Sequence, residues 1–117
     1  MKKDQVFKAF GDLLYAVASA DGKVQVEEKE LLASVLSHHH YAFDIISTFK
    51  SHSHLNTSIE KASTQALETF IAYGYFEGYA EFKIILEHLA EACEGISAEE
   101  RKVIDHFFDA LNEHFNI

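Results

Sequence analysis

Acidic residues occupy two short turns of this sequence, each of which joins one predicted helix to the next. The first turn carries Asp21, and the helix that follows it opens with Glu27 and Glu28. The second turn carries Glu94, and Glu100 belongs to the helix start after it. Carboxylate oxygens are ligands that Ca²⁺ and Mg²⁺ prefer in proteins. Acids in these places could contact a cation, and they are also ordinary residues of turns and helix starts.

The spacing of the first turn differs from that of an EF-hand. A calcium loop counted from Asp21 would need oxygen ligands at its third and fifth positions and a glutamate at its twelfth. Those positions hold Lys23, Gln25 and Leu32. Backbone carbonyls, water and Glu27 would have to complete the coordination of an ion held by Asp21 and Glu28. The ordinary alternative is that Asp21 ends one helix in a turn and Glu28 caps the next.

The two turns share one order of features along the chain. Each has a helix end, an acidic residue beside a glycine, one aliphatic residue and an acidic helix start. The aliphatic residue, Val24 or Ile96, is expected to pack between the two helices, so each unit predicts a helical hairpin. The copies differ, because Cys93 stands at the place of Asp21 and Glu94 comes one position later. The first turn is therefore the more complete candidate site.

This repeated pattern resembles the TerB-like (tellurite resistance protein B-like) domain family over roughly residues 5–115. The residues that carry the resemblance are Ala20-Asp21-Gly22-Lys23-Val24, Glu28 and Glu100. The resemblance implies an all-helical fold, a divalent cation bound by acidic residues of the two turns, and links to tellurite resistance and stress response. The cation, Ca²⁺ or Mg²⁺, would then be held by ligands from this set: Asp21, Glu27, Glu28, Glu94 and Glu100.

Eight histidines raise the alternative of a zinc or iron site. They are concentrated at His38–His40 and at His52 and His54. Neighbouring residues of a helix point in different directions, and structural zinc sites usually pair Cys and His ligands at set spacings. A histidine run also suits the C-terminal end of a helix, where a positive charge is favourable. The spacing therefore favours a helix end at 38–40 over a metal site.

Signatures of catalysis are absent from the sequence. It has no Gly-x-Ser-x-Gly elbow and no glycine loop for phosphate, and Cys93 has only His88 near it in sequence. Glu77 and Glu81 could form a paired-carboxylate site on one helix face, although a solvated face is the ordinary explanation. We therefore expect a non-catalytic binding or regulatory protein. The alternative is a metal-dependent enzyme or accessory subunit that uses buried acids and histidines.

An aromatic patch surrounds two glycines in the second half of the chain. It consists of Tyr73, Tyr75, Phe76 and Tyr79. Four rings within seven positions cannot all face one core, and exposed tyrosines commonly anchor partners. The patch predicts a surface for a protein partner or for self-association, with core packing as the alternative.

Apolar spacing predicts the helices that must position these residues. A first helix, with apolar residues from Val6 to Val17 on one face, is expected to end near Asp21-Gly22. A second helix is predicted over residues 26–36. A third and shorter helix carries the apolar residues of 43–49, and the polar run at 50–57 is predicted to be a loop.

Helix starts in the second half carry recognisable caps. The fourth helix is expected to begin at a Thr57 or Ser58 cap, with Glu60 completing a capping box with Thr57. Two glycines predict a break at 74–78 before a fifth helix, and Ser97-Ala98-Glu99-Glu100 predicts a second capping box. The sequence thus predicts an all-α, single-domain helical bundle over 1–117, with about six or seven helices and two pseudo-repeated helical hairpins.

Composition restricts the partners. The formal charge of −9 over 117 residues leaves no basic stripe for phosphates, so nucleic acid is not expected. No apolar run approaches the roughly 20 residues of a membrane span, and no signal peptide opens the chain, so we expect a cytoplasmic protein without membrane insertion. The single cysteine agrees with a reducing compartment.

Overall fold

The fold is a bundle of helices, seen in a computed structural model that describes residues 3–20, 30, 32–34, 36, 40–94 and 96–116, without the side chains of 92–94. Within these residues there is no strand, which confirms the predicted all-α class. Residues 30 and 32–34 are helical as well, inside the predicted second helix. The helices with described bounds are α1 (Lys3–Ala18), α2 (Ala42–Leu55), α3 (Ile59–Tyr73), α4 (Gly78–Glu94) and α5 (Ala98–Phe115).

Helix α1 is the centre of the bundle. It contacts all four other helices and packs most extensively against α2 and α3. The predicted apolar face from Val6 to Val17 is buried, and so are the small and aromatic residues between its members: Ala9, Gly11, Tyr15, Ala16 and Ala18. A helix that is apolar on all sides belongs in an interior. The helix is therefore enclosed from Ala9 to Ala18, whereas its N-terminal half is one-sided as expected, with Lys3 and Lys8 exposed.

Close approach of α1 and α2 depends on Gly11. A Cβ atom at this position would lie 2.5 Å from the carbonyl oxygen of Ile45 and 2.9 Å from the Cβ of Thr48. Real Cβ atoms do not approach backbone oxygens so closely, so the two helix backbones pack at a distance that only glycine permits. Gly11 therefore sets the spacing between these helices.

The predicted loop at 50–57 is wrong over most of its length. Helix α2 continues to Leu55, and Asn56 ends it in the left-handed conformation with φ of 56°. Asparagine tolerates this conformation and commonly ends helices. The polar run was misassigned because side chains of Ser and His are acceptable on the solvent face of a helix whose other face is anchored by Ile45 and Phe49.

Helix α3 begins at Ser58, the second of the two predicted caps. The Ser58 hydroxyl accepts a hydrogen bond from the backbone N–H of Lys61 at 3.2 Å. Because the cap is Ser58, Glu60 is the second helical residue, and the capping box predicted for Thr57 and Glu60 is wrong. The Thr57 hydroxyl is hydrogen-bonded to His52 instead.

The predicted break between α3 and α4 is confirmed at Gly74, which has φ of 97°. Glu77 lies in the turn before α4 and Glu81 in the first turn of that helix, so the idea that both lie on one helix face is wrong. The predicted capping box at the start of α5 is confirmed, with Ser97 and Glu100 as its two members. No helix in the described part of the chain is long and apolar enough to cross a bilayer.

Candidate functional site

The predicted cation ligands fall mostly beyond what the structure describes. Asp21, Glu27 and Glu28 lie outside the described residues, and so does the side chain of Glu94, whose backbone ends α4. Glu100 is described, and its side chain is only 6% exposed. Its Oε1 accepts a hydrogen bond from the Ser97 backbone N–H at 3.0 Å, and its own N–H donates to Ser97 Oγ at 3.1 Å. The described role of Glu100 is therefore to cap α5.

No group of three or more Cys, His, Asp or Glu side chains suited to a metal occurs among the described residues. One polar atom near the first turn nevertheless lacks a partner there. The Ser19 hydroxyl oxygen is buried without a hydrogen bond to any described group, two positions before Asp21. An unsatisfied buried hydroxyl costs free energy. The first turn thus has an available oxygen, and its cation site stays a prediction.

The histidines with described side chains differ in their surroundings. His40 and His54 are exposed, and the His40 ring stands edge-on to Tyr41, while His38 and His39 lie outside the described residues. His52 is largely buried. The sequence around His52 does not distinguish it from the nearby His54. Its hydrogen-bond partners in the fold, Asp12 and Thr57, do.

A chain of hydrogen bonds connects α1 to the end of α2 through His52. Its Nε2 lies 2.5 Å from Asp12 Oδ1, and its Nδ1 lies 2.9 Å from Thr57 Oγ1. The Tyr15 hydroxyl donates to the Thr57 carbonyl at 2.6 Å, and the Tyr15 ring lies 5.4 Å from that of His52. These four residues tie three separate segments together.

Burial shifts the pKa of the carboxyl group in this hydrogen-bond network. The side chains of Asp12 and His52 are each only 14% exposed. Burial raises the pKa of Asp12 above its ordinary value, and the hydrogen bond and charge of His52 oppose that rise. The hydrogen bonds of Asp12, His52 and Thr57 to one another are made within the protein. Sequence reasoning missed the network because Asp12 and His52 are 40 residues apart. The available signal was a single acid, Asp12, in the otherwise apolar second half of α1.

The aromatic patch divides into core and surface. Tyr79 is buried, and its hydroxyl donates to the carbonyls of Phe70 at 3.0 Å and Gly74 at 2.7 Å. Burial, with a smaller contribution from Tyr73, raises the pKa of Tyr79. Tyr75 is 57% exposed. Core packing therefore explains most of the patch, and Tyr75 is its surface member.

A groove lies between α3 and α5 and encloses about 470 Å³. Its apolar lining consists of Ile59, Leu67, Val103 and Phe107. Exposed polar residues form its rim: Glu60, Thr64, Lys102 and His106. Sequence reasoning missed this groove, since the half-buried residues of the two helices are separated by more than thirty positions. An apolar floor with a polar rim is the usual construction of a recognition site.

Comparison with known proteins adds no relative. No protein-family model, no curated protein and no solved structure matches this chain. The TerB-like assignment accordingly remains a resemblance carried by the two turns.

Proposed function

We propose that this protein is a non-catalytic binding module of the TerB-like type, acting in the cytoplasm, which takes an amphipathic segment of a partner protein into the groove between α3 and α5. The groove is the observation that carries the proposal. Its floor leaves Ile59, Leu67 and Val103 half-exposed, and covering them would remove apolar surface from water. An amphipathic helix laid into such a groove is a common mode of peptide recognition.

The charge of the whole chain, rather than the rim, favours a basic partner segment. The groove adjoins a polar shelf on α3, since Glu60 and Thr64 line both. Acids and bases alternate there, because the shelf adds Lys61 and Glu68 and the rim includes Lys102. The whole chain has a formal charge of −9. Complementary charge speeds association and selects partners more than it adds affinity. Lysine or arginine residues flanking the apolar face of the partner would pair with Glu60 and Glu68, and an acid of the partner would pair with Lys61 or Lys102.

The described titratable groups support a binding role over a catalytic one. Asp12 and Tyr79, whose pKa values are raised by burial, direct their polar atoms at His52 and at backbone carbonyls. Active-site groups with shifted pKa values usually face a cleft. Neither group lines the α3–α5 groove. Tyr79 does line a space between α4 and α5, but its hydroxyl is hydrogen-bonded to backbone carbonyls.

Site-specific crosslinking tests the groove. A photo-reactive residue at Thr64, on the rim, should capture one defined partner segment, whereas the same residue at Lys8, exposed on α1, should not. A synthetic peptide of that segment should bind wild type, and Val103→Lys should raise its Kd about tenfold or more, because a charge would be placed in an apolar contact. Ile84→Lys, at an exposed apolar position of α4, is the control. Equal capture from both positions, or full affinity in Val103→Lys, would refute the groove.

A divalent cation at the first turn is the second part of the proposal, favoured by the resemblance and by the unpartnered Ser19 hydroxyl. Ca²⁺ or Mg²⁺ held by Asp21 and Glu28 would stabilise the folded state by mass action. Thermal unfolding with Ca²⁺, Mg²⁺, Mn²⁺ and Zn²⁺ tests it. Asp21→Ala should abolish a Tm increase seen in wild type. Absence of any increase in wild type refutes the cation, and a zinc response that survives Asp21→Ala assigns the ion to the histidines.

A further inference from the structure

A crevice on the other side of α5 has a construction different from that of the groove. It lies between α4 and α5 and encloses about 220 Å³. Its walls include the rings of Tyr75, Tyr79 and Phe108 and the side chain of Leu111. Drug-sized ligands occupy pockets of roughly 300–1,000 Å³, so this crevice suits a smaller molecule.

The walls of the crevice are apolar even where they contain tyrosine. The Tyr79 hydroxyl is used by the carbonyls of Phe70 and Gly74, so Tyr79 offers the crevice its ring. Tyr75 stands edge-on to Tyr79, with ring centroids 6.4 Å apart. Aromatic walls at such angles favour a planar ring as the occupant, through stacked and edge-to-face contacts.

Lys83 provides a single positive charge at this crevice. Its ammonium group lies 5.7 Å from the centroid of the Phe108 ring. The acid one turn further along α4 is Glu87, but the Glu87 carboxylate accepts a hydrogen bond from Arg101 at 2.9 Å. Lys83 forms no ion pair with any side chain in the described part of the chain. Its charge is therefore available to an anion.

We propose that this crevice binds a small aromatic monocarboxylate. The ring of the ligand would occupy the space between Tyr75 and Phe108, and its carboxylate would meet Lys83 and the exposed amide of Asn112. The apolar walls select the ring, and the single cation selects the charge. The acidic surface elsewhere disfavours anions, so binding should be confined to this place.

Titration of the full chain with 2-naphthoate, followed by amide NMR, tests the proposal. Saturable shifts should concentrate at residues 79–83 and 108–112. The neutral analogue 2-naphthalenemethanol should bind about two- to fivefold more weakly, the effect of an exposed charge pair. Absence of saturable shifts up to millimolar 2-naphthoate would overturn the proposal, and so would shifts confined to the α3–α5 groove.

Two variants separate the charge from the cavity. Lys83→Met keeps the aliphatic stem and should reduce affinity for 2-naphthoate to that for the neutral analogue. Ala80→Leu, at an exposed position lining the crevice, should fill the space and abolish binding of both compounds. Lys8→Met, on α1, changes the net charge equally and should leave binding intact. Unchanged affinity in both crevice variants would overturn the proposal, whereas Val103→Lys tests only the groove and should not affect 2-naphthoate.

Discussion

Helices α1 and α5 are of similar length, with 16 and 18 residues, but they occupy opposite environments. Helix α1 is covered on all sides from Ala9 to Ala18, and the one charged residue of that part, Asp12, is paired with His52. Helix α5 buries Glu100 and an apolar stripe from Ile104 to Leu111, and most of its other residues are exposed or half-buried. Adjacent residues of that stripe, Phe107 and Phe108, belong to different cavities, the α3–α5 groove and the α4–α5 crevice.

The difference between the two helices indicates that α1 contributes mainly to stability, whereas α5 offers surface for recognition. Substitutions in α1 disturb contacts with every other helix at once, whereas α5 can change its exposed residues without disturbing the core. Among the described residues, each of the two helices has one ion pair to a neighbouring helix. The α1 pair, Asp12–His52, is largely buried; the α5 pair, Arg101–Glu87, has side chains 39% and 34% exposed. We therefore expect substitutions in α1 to lower the free energy of unfolding more than substitutions in α5.

The largest loss should come from Gly11→Ala. The new methyl group would meet the Ile45 carbonyl, and overpacking of this kind costs about 1–3 kcal/mol or more. Alanine also stabilises a helix interior by about 1 kcal/mol relative to glycine, which makes any net loss more telling. Because the contact with a backbone oxygen is close, we expect the upper end of that cost less the propensity gain, a fall of about 2 kcal/mol in the free energy of unfolding measured by urea denaturation. Ala72→Gly, at an exposed position of α3, measures the propensity effect alone. A stabilised Gly11→Ala protein would show that α1 and α2 are further apart.

Two double-mutant cycles, one for each ion pair, test whether the buried pair contributes more to stability than the exposed pair. Asp12→Asn and His52→Ala should show a coupling energy of about 1–2 kcal/mol, since the pair is short and mostly removed from water. Arg101→Ala and Glu87→Ala, the matched exposed pair, should couple by less than about 1 kcal/mol. High salt should weaken the second coupling and leave most of the first. Equal couplings would mean that burial does not distinguish the pairs.

Loss of the α5 cap should have an intermediate effect. Ser97→Ala removes the acceptor for the Glu100 backbone N–H, and such caps contribute about 1 kcal/mol. Ser97→Thr keeps a hydroxyl oxygen and should retain most of the stability. Urea denaturation of the two variants provides the measurement. A loss well above 2 kcal/mol in Ser97→Ala would indicate that the second turn does more than begin a helix.

The smallest effect should be a pH dependence that belongs to Asp12. Its folded pKa lies above the ordinary value of 3.8, chiefly because of burial. A carboxyl group with a raised folded pKa favours the folded state most when it is protonated, so this contribution is lost as the pH rises from about 3.8 through the folded pKa. The stability of wild type relative to Asp12→Asn should therefore decline over that range. An advantage of wild type that grows with pH there would mean that His52 dominates and the folded pKa is lowered.

Local features of the sequence predicted local features of the fold. The capping box at Ser97 and Glu100 and the break at Gly74 depend on groups a few residues apart, so both were predicted from spacing alone. The same reasoning failed at 50–57, where the polar run resembles a loop. That stretch continues a helix whose buried face is anchored by Ile45 and Phe49, and His52 within it reaches Asp12 on α1, 40 positions away in sequence.

The sequence by itself determined that this protein is a helical bundle with an acidic surface, because hydrophobic periodicity and net charge are properties of the chain. It also supplied the prediction of a cation at Asp21 and Glu28, through the resemblance to the TerB-like family that the two turns carry. Only the tertiary structure decided that α1 is enclosed, that Tyr79 is buried while Tyr75 is exposed, and that α5 borders two cavities. These features arise where distant helices meet, and no local pattern specifies which half-buried side chains will face each other across that contact.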